Sequence, residues 1–470
     1  MKNRALVAMG IPAGPCAEEA KRVIAEAHAA GSTVRAAGDT LQSIIASPDA
    51  YLDDARYGVL ASHLKAHQVA AKAFTPRQSV APYRIWGEHL EPDSVRQLQN
   101  ACSLPVAVAG ALMPDAHVGY GLPIGGVLAT EHAVIPYAVG VDIACRMKMT
   151  VLDLPVEALE TQRERLVSVL ERETCFGIGG GFRVKRQHEV MDADWRVTPV
   201  TADLKDRAWK QLGSSGSGNH FVEFGTLSVS DDAVGLPRGT YLALLSHSGS
   251  RGSGAAVAAH YSTLARRLHP ELPQSLAELA WLDLDTEAGQ EYWEAMELMG
   301  RYAAANHALI HQYIARALNV EVRLDVENHH NFAWRETHQR PDGTEREVIV
   351  HRKGATPAGE GVVGIIPGSM ATPGYVVRGK GSTASLLSAA HGAGRRMSRT
   401  QARKTLSWQD AQALLRERQV TLLSAGLDEV PMVYKDIDEV MAAQQDLVEV
   451  LARFDPRLVK MAPSGEPPED

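Results

Sequence analysis

Six short loops constrain this chain more than any other feature. Each adjoins a strand-like apolar run and sets His, Asn, Asp or Cys among small residues: 113–119 (MPDAHVG), 139–147 (VGVDIACRM), 216–223 (GSGNHFVE), 246–252 (SHSGSRG), 327–332 (ENHHNF) and 390–395 (AHGAGR). Loops at strand ends are where a rigid scaffold presents chemistry. Glycine lets the backbone approach a ligand closely and frees amide N–H groups to meet anionic oxygens, which packing alone does not require.

The runs beside these loops read as buried strands at 125–129, 147–154, 241–245, 322–326, 347–351, 361–366 and 375–377. Helical signals lie elsewhere. Residues 17–30 and 53–74 are rich in helix formers. A long helix is expected over 286–318, with Tyr292, Met296, Met299, Ala303, Ile310 and Tyr313 on one face, and a last amphipathic helix over 436–454. Pro76 and Pro82 punctuate the chain between the two textures. The expectation is an α+β protein: a small, mainly helical N-terminal extension (1–80), one large domain of mixed sheets with surrounding helices (81–462), and a frayed tail (463–470).

The length of 470 residues suits an enzyme core with an appendage, and 45% hydrophobic with 22% charged residues excludes a disordered or fibrous chain. A formal net charge of −8 offers no global attraction for nucleic acid, so any such binding must come from local basic patches. The apolar N-terminal stretch ending at Cys16 is broken by Gly10, Pro12, Gly14 and Pro15, unlike a signal peptide. No apolar run reaches the roughly 18 residues of a membrane span. The four cysteines have no short paired spacing, and a reducing cytoplasm is the expected location.

Singly, each polar loop has a plain reading. Asp142 and Cys145 serve equally as a capping carboxylate and a buried thiol, and His220, His247 or His330 as core histidines bonded to carbonyls. Together, Asp142, Cys145, His220, His247 and His330 supply a carboxylate, a thiolate and three imidazoles, enough for two divalent ions bridged by sulfur that clamp a triphosphate. Ligand softness alone favours zinc over manganese. The His391 loop instead precedes the densest basic run, Arg395, Arg396, Arg399, Arg403 and Lys404, which reads as phosphate handling or as a solvated helix face. Arg352 with Lys353, and Arg183, Lys185 and Arg186, are further candidates for a nucleic-acid track. Gly374–Lys380 spells a phosphate loop, but Gly381 stands where Ser or Thr should follow, and 375–377 look like a strand. The 177–182 run fails the dinucleotide fingerprint at its last glycine.

In their order, Pro-Asp-Ala-His, Val-Gly-Val-Asp-Ile-Ala-Cys, Gly-Asn-His-Phe-Val-Glu, His-Ser-Gly-Ser-Arg-Gly, His-His-Asn, His-Arg-Lys-Gly-Ala, Ile-Ile-Pro-Gly-Ser-Met and His-Gly-Ala-Gly-Arg-Arg-Met-Ser-Arg make residues 84–460 resemble the RtcB family of RNA ligases. The resemblance implies an enzyme that joins RNA 2′,3′-cyclic phosphate or 3′-phosphate ends to 5′-hydroxyl ends, in tRNA splicing or RNA repair. It implies GTP and two Mn²⁺ as cofactors, with Zn²⁺ able to stand in within crystals. Cys145 then bridges both metals, Asp142 and His220 complete one site, His247 and His330 the other, and His391 is the guanylylated nucleophile. Asn219 is implied at the nucleotide phosphate, and Glu223, Tyr434 and Lys460 at the guanosine. Pro367, Gly368, Ser369, Met370, Gly392, Ala393 and Gly394 wall the nucleotide, while Arg251, Arg352 and Lys353 contact RNA. Ala144 and Arg146 depart from the family's usual glycines, Gly374 from its frequent serine, and about ten residues follow Lys460. A metal-dependent phosphoesterase or nuclease that has lost ligation, or a non-catalytic RNA-binding homologue, are the competing readings. Intact Asp142, Cys145 and His391 oppose the second of them.

Overall fold

The computed structural model describes residues 6, 9–12, 14–73, 77, 79–230, 234–339 and 344–466. The chain divides into two compact units, residues 1–76 with 264–280, and residues 77–263 with 281–470. In the first, helices Pro15–Ala29, Val34–Ala46 and Gly58–Ala73 enclose a core that includes Ala20, Ile24, Leu41, Ile44, Leu60 and Leu64. Helix Val34–Ala46 starts at a Thr33 cap whose hydroxyl accepts from Ala36 N. Segment 264–280, which the expected 1–80 extension does not contain, belongs to this unit.

The second unit holds the mixed sheets of the expected α+β fold. One sheet orders Tyr83–Ile85, Ala107–His117, Ile124–Thr130, Glu345–Lys353 and Asn331–Gln339, antiparallel except for its first pair. The larger orders Val363–Ile366, Gly374–Gly379, Val448–Met461, Phe221–Val229, Gly239–Ser248, Arg146–Leu152 and Val322–His329, with Thr421–Ser424 parallel to Val448–Met461. Its central strands are buried on both faces, which explains their nearly continuous apolar sequence. Val222, Phe224, Leu242 and Leu244 pack on Ile310, Ile314 and Leu318 of the long helix Glu287–Leu318. Met147, Met149, Ala243 and Leu245 pack on the opposite side with Val376 and Phe454. The long helix begins where Thr286 caps Gly289 N and ends at left-handed Asn319.

One expectation fails locally. The helix expected over 436–454 is a short helix, Ile437–Ala442, followed by the strand Val448–Met461. A β-bulge opposite Val376 and Val377 inserts one residue at Leu451, so the buried positions fall at 448, 451, 452 and 454 and imitate helical spacing. In the expected frayed tail, residues 463–466 are described and Glu466 accepts from Ile178 N at 3.2 Å, while 467–470 lie outside the described residues. The phosphate-loop spelling at 374–380 is mostly strand Gly374–Gly379, as the apolar 375–377 run predicts.

Candidate active site

Strand register assembles the donor cluster. Met147 pairs with His247, His247 with Phe221, and Arg146 with His329. Cys145 and His220 immediately precede two of these strands and His330 immediately follows a third, so residues far apart in sequence meet at one end of the sheet. His247 Nε2 lies 3.0 Å from Cys145 Sγ and 3.2 Å from His330 Nε2. His220 Nε2 lies 3.5 Å from the same sulfur and 3.1 Å from Asp142 Oδ2. Cys145, His247 and His330 form one group and Asp142, Cys145 and His220 another, with ligand atoms within 4.8 Å of one another in each.

These separations suit ligands around shared ions, since nitrogens bound at about 2.0–2.1 Å to one tetrahedral cation stand roughly 3.3 Å apart. Nδ1 of His220 and of His330 are buried without a hydrogen-bond partner among the described residues. Burial pushes the His247 imidazole down to about 3 and His330 well below its ordinary value, so both rings are neutral and carry lone pairs. Burial works to raise the Asp142 carboxyl, but hydrogen bonding and charge from His220 outweigh it, and the net shift is downward. Ser250 N fixes Asp142 Oδ1 at 3.0 Å. A Cβ on Gly249 would come within 2.1 Å of both Asp142 oxygens, so only glycine lets the carboxylate sit there. The donor set therefore fits two divalent cations sharing a sulfur.

His391 follows the short strand Ser388–Ala390 and is held by Asp115, whose Oδ2 accepts from His391 Nδ1 at 2.7 Å and from its backbone N at 3.1 Å. Asp115 is fully buried and its other oxygen has no hydrogen-bond partner among the described residues. Gly394 has φ +72 and a Cβ there would lie 2.0 Å from the Asp115 carbonyl oxygen, so the loop closes on Asp115 only with glycine. The His391 and His330 rings stand 4.8 Å apart, which puts the candidate nucleophile beside the donor cluster.

A cleft opens from His247, His330 and His391. Asn219 and Glu223 line it from one wall, and Asn219 O accepts from His247 Nδ1 at 3.3 Å. The turn 367–370, the loop 392–394 and Tyr434 form other parts of the lining. Phe221, Leu245 and Phe454 make it apolar, and burial pushes the Glu223 carboxyl well above its ordinary range.

Four expected contacts lie elsewhere. Lys460 pairs with Val222, whereas Glu223 pairs with Val459, so the lysine occupies the helix-packed face and donates to the Leu170 and Glu171 carbonyls at 3.2 and 3.3 Å. Arg251 is 2% exposed and is bound to Ser214 Oγ and the Gly177 carbonyl. Arg352, 1% exposed, pairs with Glu336 at 2.6 Å and stacks on Trp334. Lys353 donates to the Tyr120 and Tyr137 carbonyls at 2.5 and 3.0 Å. Each charge is spent inside the protein rather than offered to an RNA phosphate or a base.

The basic run divides similarly. Arg395, Arg399 and Arg403 converge on Asp428 and Glu429, while Tyr434 donates to Glu429. Arg186 is buried against Phe182 and Tyr313. Asp115, His117 and Glu429 were not singled out as site residues in the sequence. The first two lie in the Pro-Asp-Ala-His loop and carried a signal, whereas Glu429 had none.

The chain matches the family model described as tRNA-splicing ligase RtcB over residues 97–198 and 194–461. It is 34% identical over 398 residues to the RNA-splicing ligase RtcB1 of Escherichia coli strain ATCC 25922, covering 76% of this chain and 91% of that one. It is 32% identical over 430 residues to the tRNA-splicing ligase RtcB of Nanoarchaeum equitans, covering 76% and 90%. It is 33% identical over 406 residues to the RNA-splicing ligase RtcB of Mycobacterium bovis, covering 73% and 94%. With the donor cluster, the held histidine and the cleft between them, these matches establish that the chain belongs to the RtcB family of RNA ligases.

Proposed function

We propose that this enzyme joins RNA 3′-phosphate or 2′,3′-cyclic phosphate ends to 5′-hydroxyl ends in the cytoplasm, for RNA repair or tRNA splicing, using GTP, Mn²⁺ and a GMP–His391 intermediate. The observation that carries the reading is the His391–Asp115 hydrogen bond beside the donor cluster. Asp115 Oδ2 accepts a hydrogen bond from Nδ1–H of His391, which keeps the proton on that nitrogen and leaves the in-plane lone pair on Nε2. That nitrogen is suited to attack the α-phosphorus of GTP, forming an N–P bond as pyrophosphate departs. The phosphoramidate conserves transfer potential, and its GMP passes to the RNA 3′-phosphate before the 5′-hydroxyl displaces it.

Asp142, Cys145 and His220 would hold one Mn²⁺, and Cys145, His247 and His330 the other. When bound, the ions supply charge neutralisation at the phosphates and activation of water for opening a cyclic end. Asn219 orients a nucleotide phosphate, and Tyr434 and Glu223 meet the guanosine. Guanine offers two adjacent N–H donors, which select the ionised Glu223 and so couple GTP binding to loss of its proton.

The direct test incubates the enzyme with GTP, Mn²⁺ and two RNA strands, one ending in 3′-phosphate and one beginning with 5′-hydroxyl. Joined product that requires GTP and disappears in His391→Ala is expected. A phosphoesterase reading is favoured by one observation, the displacement of Lys460 from the cleft. RNA cleavage or phosphate release without joining, unaffected by GTP, would decide for it.

A further inference from the structure

Nucleotide transfer to His391 leaves unused an imidazole in the same cleft and, a few residues further along the chain, an exposed tyrosine. His117 ends the strand Ala107–His117, lines the cleft, and donates from Nδ1 to the Asp115 carbonyl at 3.2 Å. Asp115 thus fixes two imidazoles, His391 through its carboxylate and His117 through its backbone, and in each ring Nε2 is the nitrogen not used by that anchor. Burial lowers His117 to about 4, opposed by the Asp115 carbonyl and assisted by His391 and Lys435, so the ring is neutral near pH 7. Glu91, which accepts from Val118 N at 3.3 Å, the Asp115 carboxylate and Lys353, which donates to the Tyr120 carbonyl, are further charged groups beside this segment.

Beyond His117 the chain turns outward. Tyr120 is 61% exposed, and its ring lies 6.4 Å from that of Tyr137 at 36°. The loop is braced: Lys353 bonds the carbonyls of both tyrosines, and the Gln97 amide both donates to and accepts from Gly119. A solvated aromatic ring on a braced loop costs little ordering when it stacks on an unpaired base.

We propose that His117 and Tyr120 form the subsite for the RNA end bearing the 5′-hydroxyl, with Tyr120 stacking on its terminal base and His117 accepting the hydroxyl proton. The assignment rests on the ligase reading above. In the joining step the O–H bond breaks as the 5′ oxygen bonds to the activated 3′-phosphorus. The proton goes to His117 Nε2, the bond from that phosphorus to the GMP oxygen breaks, and GMP leaves with the electron pair. His117 then returns its proton to water. A hydroxyl is scarcely ionised at neutral pH, so a placed base accelerates this step by about 10²–10⁴-fold.

The experiment is a single turnover with the full-length enzyme, GTP, Mn²⁺ and both RNA strands, following three quantities: label on the enzyme, GMP-capped 3′ strand, and joined product. His117→Gln is expected to label and to cap the 3′ strand within about threefold of wild type, then to join it at least 100-fold more slowly, so capped strand accumulates. Tyr120→Ala is expected to raise the half-saturating concentration of the 5′-hydroxyl strand about tenfold. Joining by His117→Gln at the wild-type rate overturns the proposal, as does loss of labelling in parallel with joining, which would make His117 a support for His391 only. Failure of the wild type to label at all would instead reject the ligase reading.

Discussion

The donor cluster and the His391 loop lie side by side but are held in different ways. Cys145, His220, His247 and His330 are fixed by the hydrogen-bonded register of adjoining strands. His391 belongs to a glycine loop, with its side chain 16% exposed and held through the Asp115 carboxylate. The cluster is over-determined by the sheet, which suits the proposed role of its residues as ligands for divalent ions. His391 is held through Asp115, which suits the proposed role of a ring that turns between attacking GTP and handing GMP to RNA.

The largest effect should come from the shared sulfur. Cys145→Ala, or chelation of wild type, is expected to abolish covalent labelling by α-labelled GTP, with metal analysis of the variant reporting loss of bound Mn²⁺. Full labelling by the variant would remove the bridging role. Next, Asp115→Asn keeps the shape but no longer holds the Nδ1 tautomer. It should slow labelling about 10²-fold while leaving metal content unchanged, and equal loss of metal would erase the distinction between the two regions. A smaller effect is expected in the base pocket. Because burial raises Glu223, the half-saturating GTP concentration should fall as pH rises through its titration, and Glu223→Gln should flatten that dependence. The smallest is in the cluster's own loop, where Ala144 is held at φ +57. Ala144→Gly should relieve about 1 kcal/mol of backbone strain, read as a raised denaturation midpoint.

How much of this was legible follows from what each residue type can mean. The gathering of Asp142, Cys145, His220, His247 and His330 was, because Cys, Asp and His recur among small residues at strand ends, and a pleated sheet leaves little freedom in where strand ends meet. Charge was not. Arg352, Arg399 and Arg403 look alike in sequence whether they face a phosphate or a buried carboxylate, and their partners Glu336, Asp428 and Glu429 gave no sign of themselves. Lys460 was misplaced by one residue of strand alternation, and the helix expected over 436–454 by one bulged residue. Asp115 stood in plain view within a recognised loop, but only the fold reveals that it reaches His391, 276 residues away.

The central claim is that His391 becomes covalently guanylylated. Mass spectrometric mapping of peptides from enzyme quenched after incubation with GTP and Mn²⁺ tests it most directly. The account predicts an acid-labile GMP adduct on His391, absent without GTP and absent after chelation. An adduct on a different residue, or joined RNA with no adduct on any residue, would contradict it.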